Sequence, residues 1–146
     1  MIAYLDTSAL ARLYLPEAGR QAVVDMVGRE DVTPCSHLVA YAEMSAALGK
    51  AERMERISSA DLRMAWGQFQ SDWKSITRVG VDEALVRRAA GLARQFGLRA
   101  YDSVHLAAAE RILFAAGGSD FVFMGFDARL NAAADALGMK LLDGRS

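Results

Sequence analysis

The 146-residue sequence predicts an α/β fold, a three-layer α/β/α sandwich around a mostly parallel central sheet of four to five strands. Three observations carry that prediction. Short apolar runs recur along the chain. Helical patterns with one apolar face fill the gaps between them. No repeat, low-complexity tract or linker interrupts the alternation. Strands that alternate with helices pair in parallel, and right-handed crossovers lay the helices on both faces of the sheet.

The first run, Ile2 to Leu5, reads as a buried strand that ends at Asp6. The second, Val32 to Cys35, is the weakest, because Pro34 has no N–H to give a ladder and argues for an edge or a strand end. A helix follows in "HLVAYAEMSAALGK". Val39, Ala46 and Ala47 define its apolar face, and Glu43 falls on that face. "SSADLRMAWGQFQSDW" opens with the capping-box pattern Ser58-x-x-Asp61, Asp standing in for the commoner Glu. Its Leu62, Trp66, Phe69 and Trp73 fall at i, i+4, i+7 and i+11, one face of a helix. Ile76 to Val81 is the third strand. "VDEALVRRAAGLARQFG" starts acidic and stops at Gly97, with Leu85, Ala89, Leu92 and Phe96 as its stripe. "AYDSVHLAAAERILFAAGG" is a further helix, stopped by Gly117-Gly118. Phe121 to Phe126 is the fourth strand, followed by Asp127 and another helical pattern. Lys140 to Leu142 is the fifth.

The length suggests one domain over residues 1–146, able to bury most of its apolar surface. No apolar run approaches the roughly 18 to 20 residues of a membrane helix. The N-terminus has no Lys or Arg before its first apolar run, and Asp6 interrupts that run, unlike a signal peptide. The single Cys35 excludes an intrachain disulfide and fits a reducing cytoplasm. It sits in a strand-like run with no basic neighbour, a poor setting for a nucleophile. A formal net charge of -1 is not that of a protein that binds nucleic acid by charge alone. Nucleic-acid chemistry here would need local basic patches or metal ions.

Four acids stand in unlikely places. In an open parallel sheet, ligands bind beyond the carboxyl ends of the strands. Asp6 and Asp127 occupy two such ends, and each also suits a helix N-cap. Glu43 has no Lys or Arg at i±3 or i±4 to neutralise it on its apolar face. Such a carboxylate must be paired with a distant group, protonated or metal-bound. Asp102 opens its helix, where it complements the helix dipole and lies three residues after Arg99. Clustered carboxylates repel unless something positive sits among them. Hard divalent cations with oxygen ligands, Mg²⁺ or Mn²⁺, meet that need.

At these residues the sequence resembles the PIN-domain nucleases, in particular the toxins of VapBC toxin–antitoxin pairs. "YLDTSAL", "VAYAEMSAAL", "LRAYDSVHLAAA" and "FVFMGFDARLNAAA" are similar, in order, to the four acid motifs of that family. The resemblance implies a PIN-like fold and a metal-dependent endoribonuclease. It implies an RNA substrate, a VapB-type antitoxin, a homodimer, a cytoplasmic location and no membrane. Carried over, the catalytic and metal-binding acids fall on Asp6, Glu43, Asp102 and Asp127. Asp6 and Asp102 would hold the principal ion, with Glu43 and Asp127 helping directly or through water. A carboxylate could accept the proton of the attacking water. Ser8 matches a frequent hydroxyl beside the first acid. Gly125 departs from the family, which often has Thr or Ser there, and puts one polar support in question. Asp120, at the start of its strand, lies at the wrong end for the site.

Several other residues bear on the site. His105 is one turn after Asp102 and reads more readily as a buried structural histidine than as a ligand. Arg12 and Arg99 can flank the site and meet phosphates, or simply be surface arginines. "ERMER" and Arg87-Arg88 read as solvated helix faces. Met26, Met44, Met54 and Met64, with Trp66, Phe69 and Trp73, divide between core and a partner surface. The competing reading is a catalytically silent PIN-like module that binds RNA or protein. Phosphoryl-transfer readings fit poorly. A haloacid-dehalogenase-type enzyme wants a second Asp where Ser8 stands, and a receiver domain wants a Lys at the end of a late strand, whereas Lys140 begins one.

Overall fold

A computed structural model describes residues 1–117 and 120–142. Strands β1 (Ile2–Leu5), β2 (Thr33–His37), β3 (Thr77–Val79) and β4 (Phe121–Met124) form one sheet in the order β3-β2-β1-β4, all parallel. Helices α1 (Thr7–Arg12) and α2 (Arg20–Val27) join β1 to β2. Helices α3 (Ala40–Arg53) and α4 (Ser59–Trp73) join β2 to β3. Helices α5 (Glu83–Phe96) and α6 (Ala100–Ala115) join β3 to β4, and α7 (Ala128–Ala136) follows.

Alternation along β1 builds two cores. Ala3 and Leu5 point to one face, where they meet Leu10 of α1, Val23 of α2, Met44 and Leu48 of α3 and Phe69 of α4. Tyr4 points to the other, against Leu85 and Leu92 of α5, Leu106 of α6 and Leu130 of α7. Val122 and Met124 follow the first face, Phe121 and Phe123 the second. This is the expected α/β/α sandwich. The chain steps from β1 through β2 to β3, then returns past β1 to β4. The reversal lies between β1 and β4, and there the carboxyl ends of the strands open a crevice.

Local signals are met where the sequence is explicit. The Ser58–Asp61 capping box closes in both directions, with Asp61 N donating to Ser58 Oγ at 3.0 Å and Ser58 N to Asp61 Oδ2 at 3.1 Å. Asp82 caps α5, and Gly97 ends it in the left-handed region at φ 65°. Gly117 follows α6 at φ 60°; its expected companion Gly118 lies outside the described residues.

Three expectations are corrected. β2 is an interior strand, not an edge, and Pro34 is its second residue. Thr33 N donates towards β1, to Met1 O at 2.8 Å, so residue 34 turns its N towards β3, whose pairing begins only at Cys35. The missing N–H therefore costs no ladder bond. The fifth strand shrinks to one parallel bridge, Leu141 to Phe123. On α3 the buried face is Ala40, Met44, Leu48 and Ala51, not the Val39, Ala46 and Ala47 side. Glu43 stands beside the core face rather than on it, with 19% of its side chain exposed.

Candidate active site

The four acids come from separate elements and line one pocket of about 360 Å³. Thr7, Ser8, Arg12, Arg99, His105 and Phe126 complete its wall. It lies in the crevice at the carboxyl ends of β1 and β4. Asp120, at the opposite end of β4, is not part of it.

Asp6 is the helix cap that its position allows, through one oxygen of its carboxylate. Its Oδ1 accepts from Ala9 N at 2.9 Å, capping α1, and from Ser8 Oγ at 2.6 Å. Its Oδ2 accepts no hydrogen bond among the described residues and lies beside Gly125. The residue is 3% exposed. Burial pushes its pKa up, against the opposing influence of His105 and of the bonds from Ser8 and Ala9. A buried carboxylate so placed gains from a cation at Oδ2.

Ser8 also binds the two strand ends together. Its Oγ accepts from Phe126 N at 3.0 Å while donating to Asp6. Asn131 Nδ2 donates to the Gly125 carbonyl at 2.9 Å. These two side chains support the loop where the family often has a hydroxyl at residue 125. A Cβ built on Gly125 would lie 2.7 Å from Asp6 Oδ2 and 3.1 Å from Asn131 Oδ1. Glycine is what lets the Asp6 carboxylate lie against this backbone.

Asp127 caps α7, with Oδ1 accepting from Leu130 N at 2.8 Å. Asp102 sits in the first turn of α6, 3.4 Å from Arg99 Nε, with 21% of its side chain exposed. Both stand at the rim.

Glu43, in the first turn of α3, has two histidine partners. His37 Nε2 lies 3.1 Å from Glu43 Oε1, and His105 Nε2 lies 3.2 Å from the same oxygen. Burial opposes the charge on Glu43, but the contacts from His105 and His37 outweigh it and hold its pKa down at about 2. His37 is fully buried at the end of β2, and burial lowers its pKa. Its Nδ1 accepts from Val39 N at 3.0 Å, so the proton of the neutral ring sits on Nε2, facing Glu43. His105 Nδ1 shares a hydrogen bond with Tyr4 Oη at 2.9 Å, and its Nε2 one with Thr7 Oγ1 at 3.0 Å. The ligating atoms of His37, Glu43 and His105 lie within 4.8 Å of one another, a spacing that a metal ion can also use. His37 Nε2 turns its proton towards Glu43, and the two atoms lie in contact without completing a hydrogen bond among the described residues.

His105 is thus buried, as expected, and also touches the site. His37 was missed. "CSHLVAYAE" holds the only signal, a histidine at a strand end six residues before the acid. Of the arginines, Arg12 is tied down. It donates to Ser8 O at 2.9 Å and Ala18 O at 2.8 Å, and its guanidinium lies 3.7 Å over the Phe126 ring. Arg99, with 83% of its side chain exposed, is held by Asp102 alone among the described residues. Cys35 is no nucleophile, since burial pushes its thiol up to about 12. Arg87 and Arg88 pair with Glu83 and Glu110 on helix surfaces. Met44, Phe69 and Trp73 are core, whereas Met54 and Met64 are exposed.

Among the described residues, no helix is long and apolar enough to cross a membrane. The fold resembles the crystal structure of FitAcB from Neisseria gonorrhoeae, with a TM-score of 0.62 at 17% identity, covering 99% of this chain and 98% of that one. It also resembles PAE2754 from Pyrobaculum aerophilum, with a TM-score of 0.55 at 19% identity, covering 98% and 93%. In sequence it is 31% identical over 140 residues to Ribonuclease VapC45 of Mycobacterium tuberculosis strain CDC 1551 / Oshkosh, covering 96% of this chain and 94% of that protein. Ribonuclease VapC49 of strain H37Rv matches to the same extent. The model of the PIN domain matches residues 3–135, and with most of its length so accounted for, the chain belongs to the PIN-domain family.

Proposed function

We propose that the protein is a metal-dependent endoribonuclease, the toxin of a type II toxin–antitoxin pair. The observation that carries this reading is the convergence of four carboxylates from four separate elements on one crevice. The naming of its relatives as VapC ribonucleases agrees with it. In this reading the chain acts as a single domain in the cytoplasm, as a homodimer, and is held by a VapB-type antitoxin.

The donor set fits Mg²⁺ or Mn²⁺, which prefer carboxylate oxygens. Asp6 and Asp102 would hold the ion principally, and Glu43 and Asp127 would help directly or through water. When bound, the ion lowers the pKa of a water and offsets charge on the scissile phosphate. The protein's own groups orient that chemistry. Ser8 and the Ala9 N–H fix the Asp6 carboxylate through Oδ1 and leave Oδ2 without a hydrogen bond among the described residues. His37 and His105 fix Glu43 and keep it ionised. A group held at about 2 is a poor base near neutral pH, so Glu43 serves as a fixed negative charge rather than as a proton acceptor.

The test is cleavage of an RNA panel by purified protein with Mg²⁺ or Mn²⁺, with and without chelator. Metal-dependent cuts within the chains, lost in Asp102→Asn with the circular-dichroism spectrum unchanged, are expected. Full activity of Asp102→Asn sinks the site assignment. Binding of RNA with no cleavage under any metal would favour the silent module instead.

A further inference from the structure

We propose that the groove beside the acid pocket is the seat of one unpaired nucleobase of the RNA substrate, next to the phosphate that is cut. This rests on the endoribonuclease reading and names part of its substrate. The groove encloses about 580 Å³ and shares Thr7, Glu43, Arg99 and Asp102 with the acid pocket, so the two are continuous. That volume lies within the roughly 300–1,000 Å³ of small-ligand sites.

Its floor is the exposed side of α3. Val39, Ala42 and Ala46 rise from successive turns, with Ala47 beside them. Val39 is 36% exposed, and Ala42 and Ala46 are exposed as well. Methyl side chains leave a shallow apolar bed wide enough for a flat ring. The facing wall, at the start of α6, carries Tyr101. It is 63% exposed, with no hydrogen bond or ring partner among the described residues. Lys50 closes the far end, and no carboxylate pairs with it among the described residues. Arg99 stands where groove and pocket meet, held among the described residues only by its 3.4 Å contact to Asp102.

An apolar bed, an unstacked aromatic ring and two cations match the two halves of a nucleotide. The ring takes the base face and the cations take flanking phosphates. An A-form duplex hides its base faces in the stack, so the nucleotide must be unpaired. Glu43 and Asp102 line the end shared with the acid pocket, and Lys50 at the far end, unpaired among the described residues, favours an anionic chain over an apolar protein segment as the occupant.

The experiment compares wild type, Tyr101→Ala, Tyr101→Phe and Tyr101→Trp on a short single-stranded RNA with Mn²⁺. Stacking predicts about a tenfold rise in KM for Tyr101→Ala with kcat little changed, and near wild-type values for Phe and Trp. Wild type should prefer the intact oligonucleotide to one with an abasic position, and Tyr101→Ala should lose that preference. In Tyr101→Trp the new indole should be quenched by the single strand and not by a duplex. An unchanged KM in Tyr101→Ala overturns the proposal. So does an effect confined to self-association, which would assign the groove to a second copy of the chain. If wild type cuts no RNA, the endoribonuclease reading fails, and quenching of Tyr101→Trp still decides whether the groove takes a base.

Discussion

Asp6 and Asp127 hold matching positions, each following one of two adjacent parallel strands and each capping the helix that comes next. Their surroundings differ. Asp6 lies on the pocket floor, buried and held by Ser8, Ala9 N and its own backbone N–H to Met124 O at 3.1 Å. Asp127 is half-buried at the rim, with Leu130 N as the partner of its carboxylate. The same local pattern yields one carboxylate whose charge burial opposes and one that stands partly exposed at the rim. What separates them is the cover that α3 and α6 place over the floor.

The sharpest test of that difference is Asp6→Asn, for which cleavage should fall by about a thousandfold or more. Asn caps a helix as well as Asp, so the fold should persist. Because burial raises the folded pKa of Asp6 above its ordinary 3.8, the stability linked to its protonation is present below that value and is lost as pH rises through the raised one. Metal-free Asp6→Asn should therefore melt no lower than wild type near neutral pH, and any advantage should shrink in acid. Thermal melts across pH without metal check this. A variant much less stable at neutral pH would mean that the buried charge is already compensated.

Asp127→Asn should cost less, about 10- to 100-fold in cleavage. A loss equal to that of Asp6→Asn would erase the distinction between floor and rim.

His37→Gln tests the support of the floor and should cost about tenfold in activity. Glu43 has a folded pKa of about 2 against an ordinary 4.5, so its stabilisation is present above the ordinary value and is lost as pH falls through about 2. His37→Gln should flatten the acid side of the stability profile. An unaltered profile would leave His105 as the only histidine that matters to Glu43.

Gly125→Ser is expected to be the mildest, a severalfold weaker response to Mn²⁺ in an activity titration. Its Cβ would press on Asp6 Oδ2 at 2.7 Å, and the carboxylate would have to shift. Tighter metal binding would instead mean that the family's hydroxyl improves this site.

Much of the fold was legible because some signals are local. The capping box of α4 and the stripe of α5 depend on residues within a few turns, and both appear as written. The face of α3 was misread for the same reason. Alanines lie on two of its sides, a methyl group does not say which side is buried, and only Phe69 and Trp73 of α4 behind it decide. Pro34 pointed to an edge or a strand end, and it lies near the start of an interior strand, a choice that cannot be read from one strand alone. The strand beside it begins one residue too late to need the missing N–H.

The positions of Asp6, Asp102 and Asp127 were determined by the sequence itself, since strand ends and helix starts are set by short-range patterns. Glu43 stood out for having no Lys or Arg at i±3 or i±4. Only the tertiary structure decided what replaces that cation. The Tyr4–His105 bond spans 101 residues, and His37 reaches the same carboxylate from the end of another strand. Contacts across such separations leave no periodicity in the chain. Packing helices on both faces of the sheet brings them together and settles which carboxylates are buried and which stay in reach of water.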